Sequence, residues 1–178
     1  MAGEQREDVL ERSLPESRTE AVTALFHVHW VALVRLARLL VDDRETAEDV
    51  VQDAFAQLHR RWGSLRDPDA ALFYLRASVA NGARNRLRSR RVARLRVVAE
   101  PVAGPSAEAT VLEREEKRSV VVALATLPWR QRQVLVLRYY ADLSESDIAA
   151  TLGISRGAVK SHASRGVAAL TRRLEEGP

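Results

Sequence analysis

Arg156, Lys160, Ser161, Ser164 and Arg165 recur at spacings that collect them along one side of a helix. Guanidinium and ammonium groups reach phosphates, and short hydroxyl donors fit against base edges in a major groove. The chemistry on offer is therefore recognition of a duplex rather than the breaking of a bond. Val159, Ala163, Val167 and Leu170 occupy the other side at three- or four-residue steps and are expected to face inward. A solvated basic face with no nucleic-acid partner would use the same residue types, so the frame around the stripe carries the decision.

That frame is a helix, a glycine turn and a second helix. Ser144 is placed to cap the first helix, Asp147 stands three residues on as the other half of a capping box, and Ile148 and Leu152 form its buried stripe. Gly153 supplies the left-handed residue on which helices commonly end, and Ser155 is placed to cap the helix that follows. A basic stripe on the second member of such a pair is the arrangement that lays a recognition helix in the major groove.

Two further helix faces carry unusual chemistry. In the segment ETAEDVVQDAFAQLHRRW, Ala47, Val51, Ala54, Phe55, Leu58 and Trp62 keep core spacing, while Glu45, Glu48, Asp49, Gln52 and Asp53 make an acidic outer strip. Carboxylates near a helix start compensate the macrodipole, but Asp49, Gln52 and Asp53 lie a turn or more inside and suit a basic protein partner. In the next helix, read from Ala70 to about Arg91, Leu72, Leu75, Val79, Ala83 and Leu87 are expected to pack. Tyr74, Ala77, Asn81, Arg84, Asn85 and Arg88 share another face. An aromatic ring, amides and arginines aligned this way suit unstacked bases and their phosphates; a buried Tyr74 beside solvated arginines is the alternative. From Arg84 to Arg96 there are seven arginines and no acid, a concentration that can neutralise a nucleic-acid backbone or form a disordered basic run.

Composition removes most other function classes. The 178 residues hold no cysteine, which excludes disulfides and thiolate metal sites, and the four histidines His27, His29, His59 and His162 form no ligand constellation. No phosphate-cradling glycine loop, nucleophile elbow or zinc-binding helix motif is present, so the chain is expected to be neither an enzyme nor a cofactor or metal carrier. Hydrophobic residues make up 46%, with no apolar run expected to span a membrane and no signal-peptide core in MAGEQREDVLERS. The expected location is cytoplasmic and nucleoid-associated. Net charge is +4, and it lies downstream: residues 1–80 hold 14 acidic and 10 basic side chains, residues 81–178 hold 10 and 18.

The punctuation predicts an all-helical chain of two small domains on a flexible linker. Residues 1–18 read as a flexible lead and 19–96 as a first helical domain; 97–109, within VVAEPVAGPSAEAT, read as a tether, and 110–178 as a second domain ending in the helix-turn-helix. The first helix is expected from Glu20 to Val41, with Asp42 and Asp43 breaking it. In the second domain Val111, Leu112, Val120, Val121, Leu124 and Leu127 are expected as one buried stripe, Pro128 opens the next helix, and Val134, Leu135, Leu137 and Tyr140 are expected to pack.

In this order the segments AEDVVQDAF, YLRASVANGARNRLRSRR and LPWRQRQVLVLRYYADLSESDIAATLGISRGAVKS resemble the extracytoplasmic-function class of bacterial RNA polymerase sigma factors, over about residues 20–174. The VKSHASR stretch is similar to a subset seen in actinobacteria. The resemblance implies that 19–96 is sigma region 2 and 110–178 sigma region 4. It makes Glu48, Asp49, Gln52, Asp53 and Phe55 part of the contact with core RNA polymerase, at the clamp helices of its beta-prime subunit, with the beta subunit as a further partner. Tyr74, Asn81, Arg84, Asn85 and Arg88 would bind the minus-ten element, together with the loop from Gly63 to Asp69. Lys160, Ser161, Ser164 and Arg165 would read the minus-thirty-five element, with Arg156 on phosphate. Partners implied are core polymerase, promoter DNA and an anti-sigma factor. Tyr74 stands where the family usually has tryptophan, Ser78 replaces a common aliphatic, and His162 stands where arginine is frequent. The rival from another class is a free-standing DNA-binding regulator, which needs only the terminal hairpin; a module that merely sequesters a partner is a second.

Overall fold

The computed structural model describes residues 18–41, 43–65, 70–94 and 111–176. They form the helices α1 (Arg18–Arg38), α2 (Arg44–Arg61), α3 (Ala70–Arg94), α4 (Val111–Thr126), α5 (Trp129–Leu135), α6 (Glu145–Leu152) and α7 (Arg156–Glu175). A short 3-10 turn at Trp62–Ser64 follows α2, and a π-turn at Val136–Tyr140 extends α5. Among the described residues there is no strand. The tether expected over 97–109 and all of the expected lead but Arg18, which opens α1, lie outside the described residues.

Helices α1, α2 and α3 pack as one bundle. Asp43 caps α2, accepting from the Thr46 amide at 2.8 Å and from its hydroxyl at 2.9 Å, which fixes where the chain turns after α1. Leu33, Leu36, Leu40, Val50, Val51, Leu58, Leu75 and Val79 fill the core between the three helices. Phe26 stacks on Trp30 and tilts against Phe55. By length and composition α1 is apolar enough to cross a membrane, contrary to expectation. Its apolar residues serve instead as a wall of the bundle, with Ala21, Val22, Leu33, Leu36 and Ala37 buried.

The second body corrects several expected packing positions. Val120 and Val121 are exposed while Ala123, Leu124 and Leu127 are buried; the side chains of Val111 and Leu112 lie outside the described set. Tyr140 is exposed, because the wider π-turn rotates it away from the stripe set by Val134, Leu135 and Leu137. That turn closes through Ala141 N–H to the Val136 carbonyl and Leu143 N–H to the Leu137 carbonyl, with Asp142 at φ 52°. Val167 is 41% exposed, and Gly166 takes the inward place. A Cβ on Gly166 would stand 3.1 Å from Leu135 Cγ, so the missing side chain is what lets α7 lie close across α5.

The hairpin follows its sequence signals. Ser144 Oγ accepts from the Asp147 amide at 3.2 Å and donates to its carboxylate at 2.6 Å. Gly153 ends α6 in the left-handed region at φ 61°, and Ser155 Oγ accepts from the Ala158 amide at 3.1 Å.

Candidate polymerase and promoter surfaces

On α2 the acidic strip lies at the surface as expected, with one addition. Arg86 of α3 reaches over it, with Nη2 2.9 Å from Asp53 Oδ2 and Nη1 3.7 Å from Asp49 Oδ2. Glu48 accepts from Arg44 Nε at 2.6 Å. Gln52 is exposed, as is most of the Asp53 carboxylate, so the strip keeps acceptors for a basic partner even with Arg86 in place. Phe55 is a correction. It is 5% exposed and packs against Phe26, because it lies on the core side of α2 rather than with the carboxylates, and no partner reaches it without opening the bundle.

On α3 the side chains of Asn81, Arg84, Asn85 and Arg88 are all exposed on the side away from the core residues Leu75, Val79, Ala80 and Ala83. Tyr74 sits half-buried against the core, between the two readings the sequence allowed. Residues 66–69 of the loop after the 3-10 turn lie outside the described set. Asn81 donates through Nδ2 to the Thr151 carbonyl at 3.1 Å, a bond that joins α3 to the end of α6.

On α7 the residues Arg156, Lys160, Ser161, Ser164 and Arg165 are exposed together, and Val159 and Ala163 are buried behind them. Arg165 is braced along its own helix: Nε donates to the Ser161 carbonyl at 3.2 Å and Nη2 to its hydroxyl at 2.9 Å. Glu145 of α6 holds Arg138 at 3.0 Å and stands 3.8 Å from Lys160. Arg138 and Tyr139 were missed in the sequence. With Lys160, Ser164 and Val167 they line one shallow groove, Tyr139 67% exposed and the Arg138 guanidinium 5.8 Å from its ring centre. The only sequence signal for them is a basic and aromatic pair in what reads as a packing helix; the π-turn that exposes them is not legible there.

Known proteins share this arrangement in sequence and in fold. The model of Sigma-70 region 2 matches residues 25–92, and that of Sigma-70, region 4 matches residues 117–170. The ECF RNA polymerase sigma factor SigM of Mycobacterium tuberculosis is 36% identical over 159 residues, covering 86% of this chain and 77% of the relative. The chain belongs to the extracytoplasmic-function class of RNA polymerase sigma factors. The sigma-E factor of Streptomyces coelicolor is 35% identical over 144 residues, with 80% of each chain covered. Among solved structures, CnrH in complex with the cytosolic domain of CnrY gives a TM-score of 0.66 at 27% identity, covering 92% of each chain. The sigma factor RpoE from Bartonella quintana, solved with the anti-sigma factor NepR, gives 0.72 at 24% identity over 88% of this chain and 98% of that one. This sigma factor therefore serves promoter recognition and transcription initiation, the cytoplasmic work of its class.

One side chain of α7 is placed to make the stability of this sigma factor depend on pH. His162 lies on α7 with a buried Nδ1 that has no hydrogen-bond partner, and burial holds its pKa below the ordinary imidazole value, helped by Arg165 and Arg130. The unfolded chain binds the proton more readily than the folded one. Stability is thus full above the unfolded imidazole value and is lost as pH falls through it towards the folded value. Between about pH 7.5 and pH 5 the unfolding midpoint of the native chain is expected to fall further than that of His162→Gln. Equal slopes in thermal melts of the two proteins would remove His162 as the cause.

Proposed function

We propose that this sigma factor binds core polymerase through the α2 strip of Glu48, Asp49, Gln52 and Asp53, at the clamp helices of the beta-prime subunit, with further contact to the beta subunit. Asn81, Arg84, Asn85 and Arg88, with Tyr74 beside them, hold the minus-ten element once its bases unstack. Arg156, Lys160, Ser161, Ser164 and Arg165 read the minus-thirty-five element. Joining two weak readers on one chain raises the effective concentration of the second without new contacts, and core polymerase sets their spacing. The observation that carries this reading is the separation of charge: acceptors on α2, cations with amides on α3, and cations with hydroxyls on α7. Covalent chemistry stays with the polymerase, and the protein works at the nucleoid. CnrH, similar along most of its length, was solved with the cytosolic domain of CnrY, and an anti-sigma partner is proposed for this chain on that basis.

Run-off transcription tests the assignment. Core enzyme with the purified chain is expected to initiate at discrete promoters across the source genome. Specific binding to palindromic DNA with no promoter-dependent initiation would instead make the chain a free-standing regulator. Within α7, Arg165→Ala is expected to cost about 1–3 kcal/mol of discrimination at one base pair, as for a bidentate contact to guanine. If binding weakens equally on all sequences, Arg165 contacts phosphate only.

A further inference from the structure

A carboxylate stands among the cations that the proposed reading lays against DNA. Glu145 opens α6, and its side chain is 23% exposed, less than that of either cation it meets. Oε1 accepts from Arg138 Nη1 at 3.0 Å, while Oε2 lies 3.8 Å from the Lys160 ammonium. One cation comes from the π-turn and the other from α7, so a single side chain ties both flanks of the groove that also holds Tyr139 and Ser164.

Local structure does not call for an acid at this position. Asp147, in the same first turn, already completes the capping box with Ser144 and meets the positive end of α6. Pairing α6 to the π-turn this near to solvent contributes about 1 kcal/mol at most. Against a phosphate backbone, by contrast, a carboxylate is repulsive and a cation bound to it releases no counterion from DNA. Glu145 therefore works against attachment to duplexes in general.

We infer that Glu145 is a specificity-determining residue of the α7 surface, a positioning residue that acts through Arg138 and Lys160. It withholds their charge from phosphates met at any sequence, and it holds the Lys160 ammonium at the edge of the groove, where a matching base edge takes it over. The inference rests on the proposed minus-thirty-five role of α7. Specificity is a difference of affinities, and weakening the wrong complexes raises it as surely as strengthening the right one. On the matching element a base-edge bond offsets the carboxylate that Lys160 gives up; on any other duplex nothing does. Each cation freed for phosphate steepens the fall of log affinity with log salt by about 0.9, which at 0.1 M salt is about eightfold in affinity.

The test uses holoenzyme assembled from core polymerase and the full-length chain, native or Glu145→Gln. Binding is measured from about 0.05 to 0.3 M salt on a promoter found by run-off transcription and on the same promoter with its minus-thirty-five element scrambled. Contacts made by core are common to both holoenzymes and cancel in the comparison. Glutamine keeps the side-chain shape and leaves the Ser144 and Asp147 cap in place, and thermal melts check that the variant is folded. Glu145→Gln is expected to steepen the salt slope by about one to two and to tighten binding to the scrambled promoter about eightfold or more at 0.1 M salt. The native promoter should gain less, so discrimination falls. With Lys160→Gln already present, adding Glu145→Gln should leave discrimination where it stands.

A lower melting temperature with native slope and native discrimination would make Glu145 a structural pairing and overturn the inference. An equal gain on both promoters would overturn the specificity role, and discrimination that still falls in the absence of Lys160 would overturn action through that residue. The two readings fail differently. A native holoenzyme that binds both promoters alike removes the minus-thirty-five role of α7 itself, whereas one that discriminates and is matched by Glu145→Gln removes only the role of Glu145.

Discussion

Asp49→Arg is expected to abolish assembly with core polymerase while leaving the fold intact. Placing a cation against a basic partner surface costs about 3 kcal/mol or more, roughly a hundredfold in affinity. The fold has little at stake there, because the Asp49 carboxylate is about half exposed and its 3.7 Å approach to Arg86 is a surface pairing worth at most about 1 kcal/mol. Native-like thermal unfolding together with lost co-elution from core enzyme is the expected pair of results. Unchanged affinity for core would move the polymerase contact off α2. Arg86→Ala sharpens the comparison: it removes the strip's internal counter-charge, so affinity for a basic partner should hold or rise, whereas a strip that matters only for intramolecular pairing would show a loss of stability and nothing else.

Gly166→Val is expected to give the largest structural effect in region 4. A Cβ at this position meets Leu135 Cδ1 and Cγ at 3.1 Å and Gln131 Cβ at 3.3 Å, and Leu135 is itself buried in the core. The two added methyls of valine have nowhere to go unless α7 lifts from α5. Overpacking of this kind costs about 1–3 kcal/mol, and under the proposed role of α7 its displacement is expected to weaken binding to the minus-thirty-five element as well. Gly166→Ala is the milder control: about 0.5–1 kcal/mol is regained because alanine favours the helix, which offsets the few tenths of an ångström that Leu135 must yield. Urea unfolding of the three proteins, with binding to minus-thirty-five duplex DNA, reads both effects. A valine variant as stable as the native chain would mean that the close approach at Gly166 is not held in solution.

Much of the fold and of the exposed polar faces was legible in local chemistry. Ser144, Asp147, Gly153 and Ser155 each act through a neighbour no more than a few residues away, so the hairpin could be read from its residue types. The exposed faces of α2, α3 and α7 were legible for a related reason: charge on a helix surface follows the 3.6-residue period. Val120, Val121, Tyr140 and Val167 were misplaced because periodicity marks an apolar stripe without saying which of its edges a neighbouring helix covers, whereas Phe55 keeps the core place its spacing gave it and only the family resemblance put it at a partner surface. The π-turn at Val136–Tyr140 shifts the phase within that stripe, and only packing fixes where such a turn is placed.

The sequence alone determined the helical class, the caps and turn of the α6–α7 pair, the sign of each exposed face and, through motifs in order, the sigma factor family. Those properties are set within a few turns of helix, where residue type and spacing are the physical cause. Tertiary structure decided what depends on meetings between distant segments: Gly166 as the point where α7 crosses α5, Arg86 over the α2 carboxylates, and the seating of Arg132 and Gln133 on Leu39 and Ala80. A backbone carbonyl has no residue type to advertise it, so the partner that closes region 4 onto region 2 is invisible until the chain is folded.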